Sequence, residues 1–555
     1  MKNKIILIII LLLALYLRVP LLDKYPAGLN ADEAAIGYNA YSLLKTGLDE
    51  HGSVWPLDFR SFDDYKPGGY FYLVLPFVAV LGLNVWAVRL PSALLGVVSV
   101  LFVHLLVNKL FPKSQILNLK SKITVGHLAA LFLAISPWHL QYSRGGWEAN
   151  VASVFMLVGL YFLFKSLENI KYFFLTTFSF VFSLYTYHSL RVVIPLIFVS
   201  FVIIYFAQIK SLLANSKTAK SLIYSIILGV LLLMPLTLQL LRPSGSSRFV
   251  GVSVFADTGP LWEALELRRA DYSNLYAKVL HNRYATYSFR IAKNYLSHFS
   301  PRFLFITGDE IARNKVPGMG QAYLWTAPFL LLGIYFLLRN HNQGSKLILS
   351  WLFTAPLAAA LTFQSPHALR AQNVVYPLVI ISALGISEFL TLISTFRQKI
   401  LLVASCVLLA AICSYETARY LHQYYVHYPK ELALAWQYGF DQIAAYIKVN
   451  GDQYDHIIIS DRYDQPYILM AFYLKLPPEQ LQQAILTPRD RFGFSTVRNL
   501  GKLAFHRIDF GVDSKVENAL IVVADEGAPN DQAIYRINDP GGRVMYRFYD
   551  TNKLK

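Results

Sequence analysis

The chain has 555 residues, of which 55% are hydrophobic and 15% are charged, and its formal net charge is +17. This composition and the positive mean hydropathy exclude an ordinary soluble protein and predict a polytopic membrane protein. The positive charge does not predict nucleic-acid binding, because the lysines fall mostly in short loops between apolar segments, where membrane topology accounts for them.

The N-terminus begins with Met1-Lys2-Asn3-Lys4 and continues as an apolar segment over residues 5–22. This pattern is similar to a signal peptide, but no small-residue cleavage site follows it. We therefore expect an uncleaved first membrane span.

Residues 29–72 form a polar stretch directly after this span. Asn30 is a good N-cap, Glu33 lies three residues later as in a capping box, and Gly47 is suited to ending a helix. The pattern predicts that Asp32 and Glu33 open a short helix. First-turn acids also stabilise helices without any function, and that interpretation stays open for this pair alone.

Further charges follow in the same stretch, at Asp63, Asp64 and Lys66, just before the chain becomes apolar again. Carboxylates and a lysine concentrated next to a membrane span indicate a functional site more strongly than a helix cap does.

The stretch resembles the first extracytoplasmic loop of GT-C type membrane glycosyltransferases, in particular the family 39 and aminoarabinose-transferase-like branch. The matching residues are Asp32-Glu33, Tyr38, Leu43-Leu44, Lys66-Pro67, Tyr70, Tyr72 and the segment 84–94. The resemblance implies a GT-C fold and a sugar donor carried on a polyprenyl phosphate. The chemistry then needs a carboxylate to take the acceptor proton and cations to stabilise the leaving phosphate.

The resemblance assigns the general base to Asp32, places Glu33 beside it to orient it or to bind sugar, and makes Lys66 a phosphate ligand. Three short loops predicted to lie on the same side each carry an arginine near a histidine. The pairs are His139 and Arg144, His188 and Arg191, and His367 and Arg370. Arginine suits phosphate because its planar fork donates two parallel hydrogen bonds, although these arginines also fit an anchoring role at lipid headgroups.

Four further residues are candidate substrate ligands. Family members often have an acid directly before the lysine, where this chain has Tyr65, so Asp63 or Asp64 is a candidate substitute. Glu148 is either a sugar-binding carboxylate or a helix cap, and Tyr38 belongs to the matched pattern. No metal-ligand spacing occurs at the histidines, so the sequence predicts no metal site and leaves a divalent cation open.

Apolar segments long enough to cross a bilayer predict about eleven transmembrane helices. They cover residues 5–22, 91–108, 123–137, 150–165, 172–188, 192–209, 221–241, 322–338, 346–363, 373–394 and 399–415. The apolar segment 70–84 is predicted to lie at the surface or to re-enter, because only then do the lysine-rich loops all fall in the cytoplasm. The N-terminus is then inside and a large loop, 242–321, is outside.

The composition changes near residue 419. Residues 1–418 are expected to form the GT-C transmembrane domain, and residues 419–555 a small extracytoplasmic α/β domain. That domain is predicted to have a helix near 430–448, strands at 456–460 and 519–524, a helix after Pro466 and a hairpin turning at 539–542. Cys406 and Cys413 lie in the last apolar segment and are interpreted as packing residues rather than a disulfide.

The sequence thus predicts a plasma-membrane hexosyl- or pentosyltransferase that moves a sugar, with inversion, from a polyprenyl phosphate to a lipid, glycan or protein acceptor. The alternative is a transporter or a flippase for a glycolipid. Such proteins usually carry ionisable residues near the middle of their spans, whereas here the acids and arginines lie toward one face.

Overall fold

A computed structural model of the chain describes residues 2–112, 123–242, 251–395, 399–490 and 494–554. The fold is mostly helical and has a sheet in its C-terminal part, as predicted. The sheet has six strands. The chain forms two compact units that are interleaved in sequence. The helical unit contains Met1–Arg18, Leu94–Ser143 and Glu148–Tyr420, and the mixed unit contains Val19–Ala93, Arg144–Trp147 and Leu421–Lys555.

The α-helices of eight or more residues begin and end as follows: Lys2–Arg18, Ala31–Thr46, Gly69–Leu81, Val85–Leu110, Val125–Ile135, Glu148–Ser166, Tyr172–Leu184, Leu190–Ile204, Phe206–Leu213, Ser216–Leu240, Gly259–Ala270, Arg283–Ser297, Thr326–Asn340, Gln343–Thr354, Val375–Thr395, Lys399–His422, Phe440–Asn450 and Pro466–Leu474. The strands are β1 Asp58–Ser61, β2 Asp64–Pro67, β3 His456–Ser460, β4 Asn499–Leu500, β5 Leu503–His506, β6 Ala519–Val523, β7 Tyr535–Asn538 and β8 Val544–Asp550.

Each predicted apolar segment contains a helix, but the helices differ in length. In the described part of the chain five are long and apolar enough to cross a membrane, or six if Leu190–Ile204 and Phe206–Leu213, which meet at 76°, form one span. Others are shorter: Val125–Ile135 has 11 residues and ends before Pro137. At 1.5 Å per residue it covers about 16 Å, roughly half of a hydrocarbon core. The number of eleven crossings stays a prediction.

Close packing in the helical unit depends on small residues. A Cβ added at Gly385 would lie 1.9 Å from the carbonyl oxygen of Phe329, and one added at Gly333 would lie 2.1 Å from that of Ile381. Helices Thr326–Asn340 and Val375–Thr395 therefore approach closely at these glycines, as helices in membranes commonly do.

The sheet of the mixed unit has the strand order β4-β5-β3-β6-β8-β7. β3 is parallel to both of its neighbours, β5 and β6, whereas the outer strands pair antiparallel. Buried side chains of Ile458, Ile521 and Tyr549 form a core on it.

The predicted strands at 456–460 and 519–524, the helix after Pro466 and the hairpin turning at 539–542 are confirmed. The continuous helix expected over 430–448 is wrong. A four-residue α-helix, Tyr428–Glu431, ends near the expected start, and the long helix begins only at Phe440. Gln437 and Gly439, with φ of +52° and +102°, interrupt the helical path. The lysines at 113, 120 and 122 and the arginine at 397, on which the predicted orientation partly rests, lie outside the described residues.

Candidate active site

The helix Ala31–Thr46, here called the acidic helix, begins as the sequence predicted. The Asn30 side chain accepts a hydrogen bond from the Glu33 backbone N–H at 3.1 Å, and the Glu33 carboxylate accepts one from the Asn30 backbone N–H at 3.3 Å, which completes the capping box. Gly47, with φ of +73°, ends the helix. The two acids therefore sit in the first turn.

Glu33 is completely buried and forms a two-point ion pair with Arg89. Arg89 Nε lies 2.8 Å from Glu33 Oε1, and Arg89 Nη2 lies 2.8 Å from Oε2. The Gly146 backbone N–H also donates to Oε1, at 2.7 Å. Both carboxylate oxygens are thus occupied by protein donors, which favours the orienting role over sugar binding.

Arg89 holds together several segments of the mixed unit besides Glu33. Its guanidinium donates to the carbonyl oxygens of Leu22 and Pro26, at 2.8 and 3.0 Å. It also packs over the ring of Trp436. Sequence reasoning did not assign Arg89 a role. The signal was present, because an arginine inside an apolar helix requires a partner.

Asp32 points away from this buried pair. Its side chain is 33% exposed and pairs with Lys66, which is only 8% exposed. Lys66 lies on β2, in an antiparallel hairpin with β1, and its ammonium also lies 5.0 Å from the ring centroid of Phe62. The hairpin thus brings the predicted base and the predicted phosphate ligand together across 34 residues of sequence.

Asp63 and Asp64 follow different courses at the hairpin. Asp63 lies in the turn and is held by Arg60 and Arg489. Partial burial alone raises the pKa of Asp63, but the hydrogen bonds from Arg489 and Arg60 outweigh it and hold that pKa below its usual value. Asp64 begins β2 opposite Ser61. The ion pairs of Asp63 fit a role in fixing the turn, and the substrate role predicted for both residues stays a prediction.

Glu50 is a buried acid that sequence reasoning missed. Asn39 and Glu50 exchange two hydrogen bonds, at 3.0 and 2.9 Å. Burial raises the pKa of the Glu50 carboxyl, whereas His51, the hydrogen bond from Asn39 and, to a smaller extent, the charge of Lys66 act in the opposite direction. Lys66 therefore lies in the field of two carboxylates, Asp32 and Glu50.

Arg144 also belongs to the mixed unit and is almost completely buried. Its guanidinium donates to the Tyr424 hydroxyl at 3.2 Å and to the Pro20 carbonyl at 2.9 Å, and it packs over the rings of Tyr424 and Tyr425. These contacts join three segments of the unit, so they fit the anchoring role, and phosphate binding by Arg144 stays a prediction.

Arg191 and Arg370 lie in the helical unit, where they line one cavity of about 290 Å³. Arg191 Nη1 lies 3.0 Å from His188 Nδ1. Two of the three arginines predicted to bind phosphate thus line the same cavity, and phosphate binding by them stays a prediction.

Glu148 starts the helix Glu148–Ser166 and is buried, which fits its capping interpretation. Tyr38 is also buried, and its hydroxyl donates to the Leu476 carbonyl at 3.0 Å. Within the described ranges no group of three His, Cys, Asp or Glu side chains is arranged to hold a metal ion.

No family model and no curated protein sequence matches the chain. Its fold is nevertheless similar to solved structures of two GT-C glycosyltransferases. ArnT from Cupriavidus metallidurans in the apo state has a TM-score of 0.54 at 12% identity, and the match covers 100% of this chain and 99% of the ArnT chain. The structure of the same protein bound to undecaprenyl phosphate has a TM-score of 0.52 at 12% identity, and the match covers 99% of this chain and 98% of the ArnT chain.

The second protein is the archaeal oligosaccharyltransferase AglB from Archaeoglobus fulgidus, in complex with an inhibitory peptide and a dolichol-phosphate. It gives a TM-score of 0.51 at 13% identity over 85% of this chain, and the chain spans 64% of the length of AglB. At identities this low, the structural similarity shows a shared fold and nothing beyond it. It confirms the GT-C fold predicted from the sequence.

Proposed function

We propose that this chain, as a protein with the GT-C fold, is a membrane glycosyltransferase that transfers a sugar from a polyprenyl-phosphate donor to a lipid, glycan or protein acceptor. The observation that carries the proposal is the contact between Asp32, at the start of a capped helix, and Lys66, on the neighbouring hairpin. The undecaprenyl phosphate bound to ArnT and the dolichol-phosphate in the AglB complex support this donor class.

Asp32 is the proposed general base. The acceptor oxygen or nitrogen attacks the anomeric carbon, its proton passes to the Asp32 carboxylate, and the bond from the anomeric carbon to the phosphate oxygen breaks with its electron pair leaving on the phosphate. A single displacement of this kind inverts the anomeric configuration. The exposure of Asp32 leaves its carboxylate accessible to an acceptor.

Lys66 is the proposed first ligand of the lipid phosphate. Its ammonium pairs with Asp32 in the free protein. Donor phosphate competes for that ammonium, so donor binding leaves the carboxylate available for the acceptor proton. Arg144, Arg191 and Arg370 are proposed as further phosphate ligands, on the strength of guanidinium geometry.

Glu33 acts indirectly in this proposal. Its buried pair with Arg89 fixes the first turn of the acidic helix, and that turn sets the direction of Asp32. Glu33 is therefore a positioning residue. Asp63 stabilises the turn of the hairpin that carries Lys66.

We also place the reaction on the extracytoplasmic face of the plasma membrane. The N-terminus and the lysine-rich loops then lie in the cytoplasm. The chain crosses the membrane about eleven times, and the C-terminal domain lies outside. The distribution of lysine and arginine between loops supports this orientation.

The test uses the full chain in proteoliposomes with polyprenyl-phosphate sugars that carry a label on the sugar. A glycosyltransferase releases label from the lipid to an acceptor fraction, whereas a flippase moves the label across the bilayer while it stays attached to the lipid. Label that crosses the membrane on intact lipid, with no transfer from any donor offered together with a cell-envelope acceptor extract, would overturn the proposal.

A further inference from the structure

The mixed unit contains a polar cleft, beside its six-stranded sheet, that the proposed chemistry does not use. It is a cleft of about 1090 Å³. Asp461 directly follows β3 and Arg507 directly follows β5, and these adjacent strands are parallel. The cleft therefore opens at the carboxyl ends of parallel strands, where α/β sheets commonly bind ligands.

The lining of the cleft combines several kinds of hydrogen-bonding side chain. The lining includes three arginines, one tyrosine ring and three aspartates. These residues are Arg462, Arg498, Arg507, Tyr463, Asp461, Asp464 and Asp490. Arg462 pairs with Asp525 at 3.4 Å, but neither Arg498 nor Arg507 has an ion-pair partner among the described residues. Such a mixture of donors, acceptors and an aromatic face suits a polyhydroxylated ligand, and the two arginines favour an acidic group on it.

One wall of the cleft is held in an unusual backbone conformation. Asp464 and Gln465 both have positive φ, +62° and +47°, which non-glycine residues rarely adopt. The Gln437 amide donates to the carbonyl oxygens of Tyr463 and Asp464, both at 2.6 Å, and supports this loop. Strained loops that are supported in this way cluster at ligand sites.

Two hydrogen bonds connect the cleft to the elements that carry Asp32 and Lys66. The Gln437 side-chain oxygen accepts from the Ala31 N–H at 2.6 Å, at the first residue of the acidic helix. Ser495, which lines the cleft, donates its N–H to the Phe62 carbonyl at 3.0 Å, in the turn between β1 and β2. The cleft thus shares its support with both elements of the candidate site.

We propose that this cleft binds an anionic saccharide and that this saccharide is part of the acceptor. Its place in the acceptor rests on the proposed function. Arg498 and Arg507 bind the acidic group, Tyr463 packs against a sugar ring, and the aspartates accept hydrogen bonds from sugar hydroxyls. The acidic group is a carboxylate or a phosphate ester, and the two sources are separated by the probes below.

Binding is measured on the full chain in detergent by titration calorimetry with trigalacturonate, glucose 6-phosphate and neutral maltotriose. We expect one or both acidic probes to bind and maltotriose to bind at least about 10-fold more weakly. The variant Arg498→Gln/Arg507→Gln should weaken binding of the acidic probe at least about 10-fold, because charged hydrogen bonds are lost. The control Arg536→Gln, on β7 at the opposite edge of the sheet, should bind like wild type.

The inference is overturned if no acidic probe binds the wild-type protein, or if the double variant binds it with unchanged affinity while retaining the wild-type melting curve. These outcomes are separate from the fate of the proposed function. If the protein binds the acidic probe through these arginines but releases no label from lipid-linked sugars, the proposed saccharide site stands and the proposed glycosyltransferase activity is wrong.

Discussion

Two neighbouring acids, Asp32 and Glu33, take opposite environments in the same helical turn. Successive residues of a helix are rotated by about 100°, so Glu33 turns into the interior toward Arg89, while Asp32 faces Lys66. The burial of one fixes the direction of the other.

Loss of the buried pair should therefore unfold the first turn. We expect Arg89→Ala to lower the free energy of unfolding by about 3–5 kcal/mol, because it leaves the Glu33 charge buried without a partner. The measurement is the midpoint of thermal unfolding in detergent. Glu33→Gln combined with Arg89→Met should recover part of the loss, and Lys502→Met, in an exposed pair with Asp452, should leave the midpoint unchanged. An unchanged midpoint in Arg89→Ala would contradict this role.

Lys66 makes the second prediction at this scale. Replacing it by alanine should weaken binding of an undecaprenyl-phosphate probe by about 1.5–3 kcal/mol, or roughly 10- to 150-fold, since one charged hydrogen bond is lost. Lys66→Arg should retain most of the affinity. Lys515→Ala, at an exposed position, is the matched control. Equal affinity in Lys66→Ala and wild type would exclude the phosphate role.

Much of the site could be predicted at the residue scale, and the part that could not depends on distance along the chain. Asn30, Glu33 and Gly47 are local signals, and the structure follows them. The different environments of Asp32 and Glu33 depend on Arg89, 56 residues from Glu33, and no local pattern connects the two.

At the scale of elements, the acidic helix packs against the helix Pro466–Leu474 without space between them. A Cβ added at Gly37 would lie 2.6 Å from the ring of Phe472 and 2.6 Å from the side chain of Val88. The absence of a side chain at Gly37 therefore permits this approach.

A branched side chain at Gly37 should separate the two helices. We expect Gly37→Val to lower the free energy of unfolding by about 1–3 kcal/mol, the usual cost of overpacking a filled core. Gly527→Val is the control, because a Cβ at Gly527 would contact nothing within 4 Å. The measurement is the midpoint of thermal unfolding of each variant. Equal midpoints for Gly37→Val and Gly527→Val would show that the neighbouring side chains rearrange to accommodate the larger residue at position 37.

The hairpin of β1 and β2 shows why some elements escape sequence analysis. Short hairpins with both turn residues in the left-handed region usually carry asparagine, aspartate and glycine there. Here Phe62, which does not fit this preference, holds the first position with φ of +57°, and Asp63, which does, holds the second with φ of +64°. Asp63 also pairs with Arg60 and Arg489. The turn thus depends on tertiary contacts, one of them from Arg489, as well as on local preference.

At the scale of the whole molecule, the interleaving of the two units is the feature least visible in the sequence. Residues 19–93 and 144–147 form one compact unit with residues 421–555. Composition alone predicts a boundary near residue 419, and that domain assignment stays a prediction. Composition cannot reveal which early segments join the later ones, because such contacts span hundreds of residues.

Orientation in the membrane provides a prediction at this scale. In a background with Cys406→Ser and Cys413→Ser, a cysteine at Lys113 should not react with an impermeant reagent in intact cells, whereas a cysteine at Asp531 should react. The reason is the excess of lysine in the predicted cytoplasmic loops. Labelling at Lys113 in intact cells would show that residues 70–84 cross the membrane.

The central claim is that the Asp32 carboxylate accepts the acceptor proton, and Asp32→Asn tests it most directly. Asparagine keeps the size of the side chain and one hydrogen-bond acceptor oxygen but cannot accept that proton. We predict an affinity for the polyprenyl-phosphate donor at least as high as that of the wild type, because the carboxylate that competes for Lys66 is gone. We also predict an unchanged melting curve and a rate of sugar transfer lower by at least about 100-fold, while Asp531→Asn transfers normally. Near-normal transfer by Asp32→Asn with the fold intact would contradict the claim.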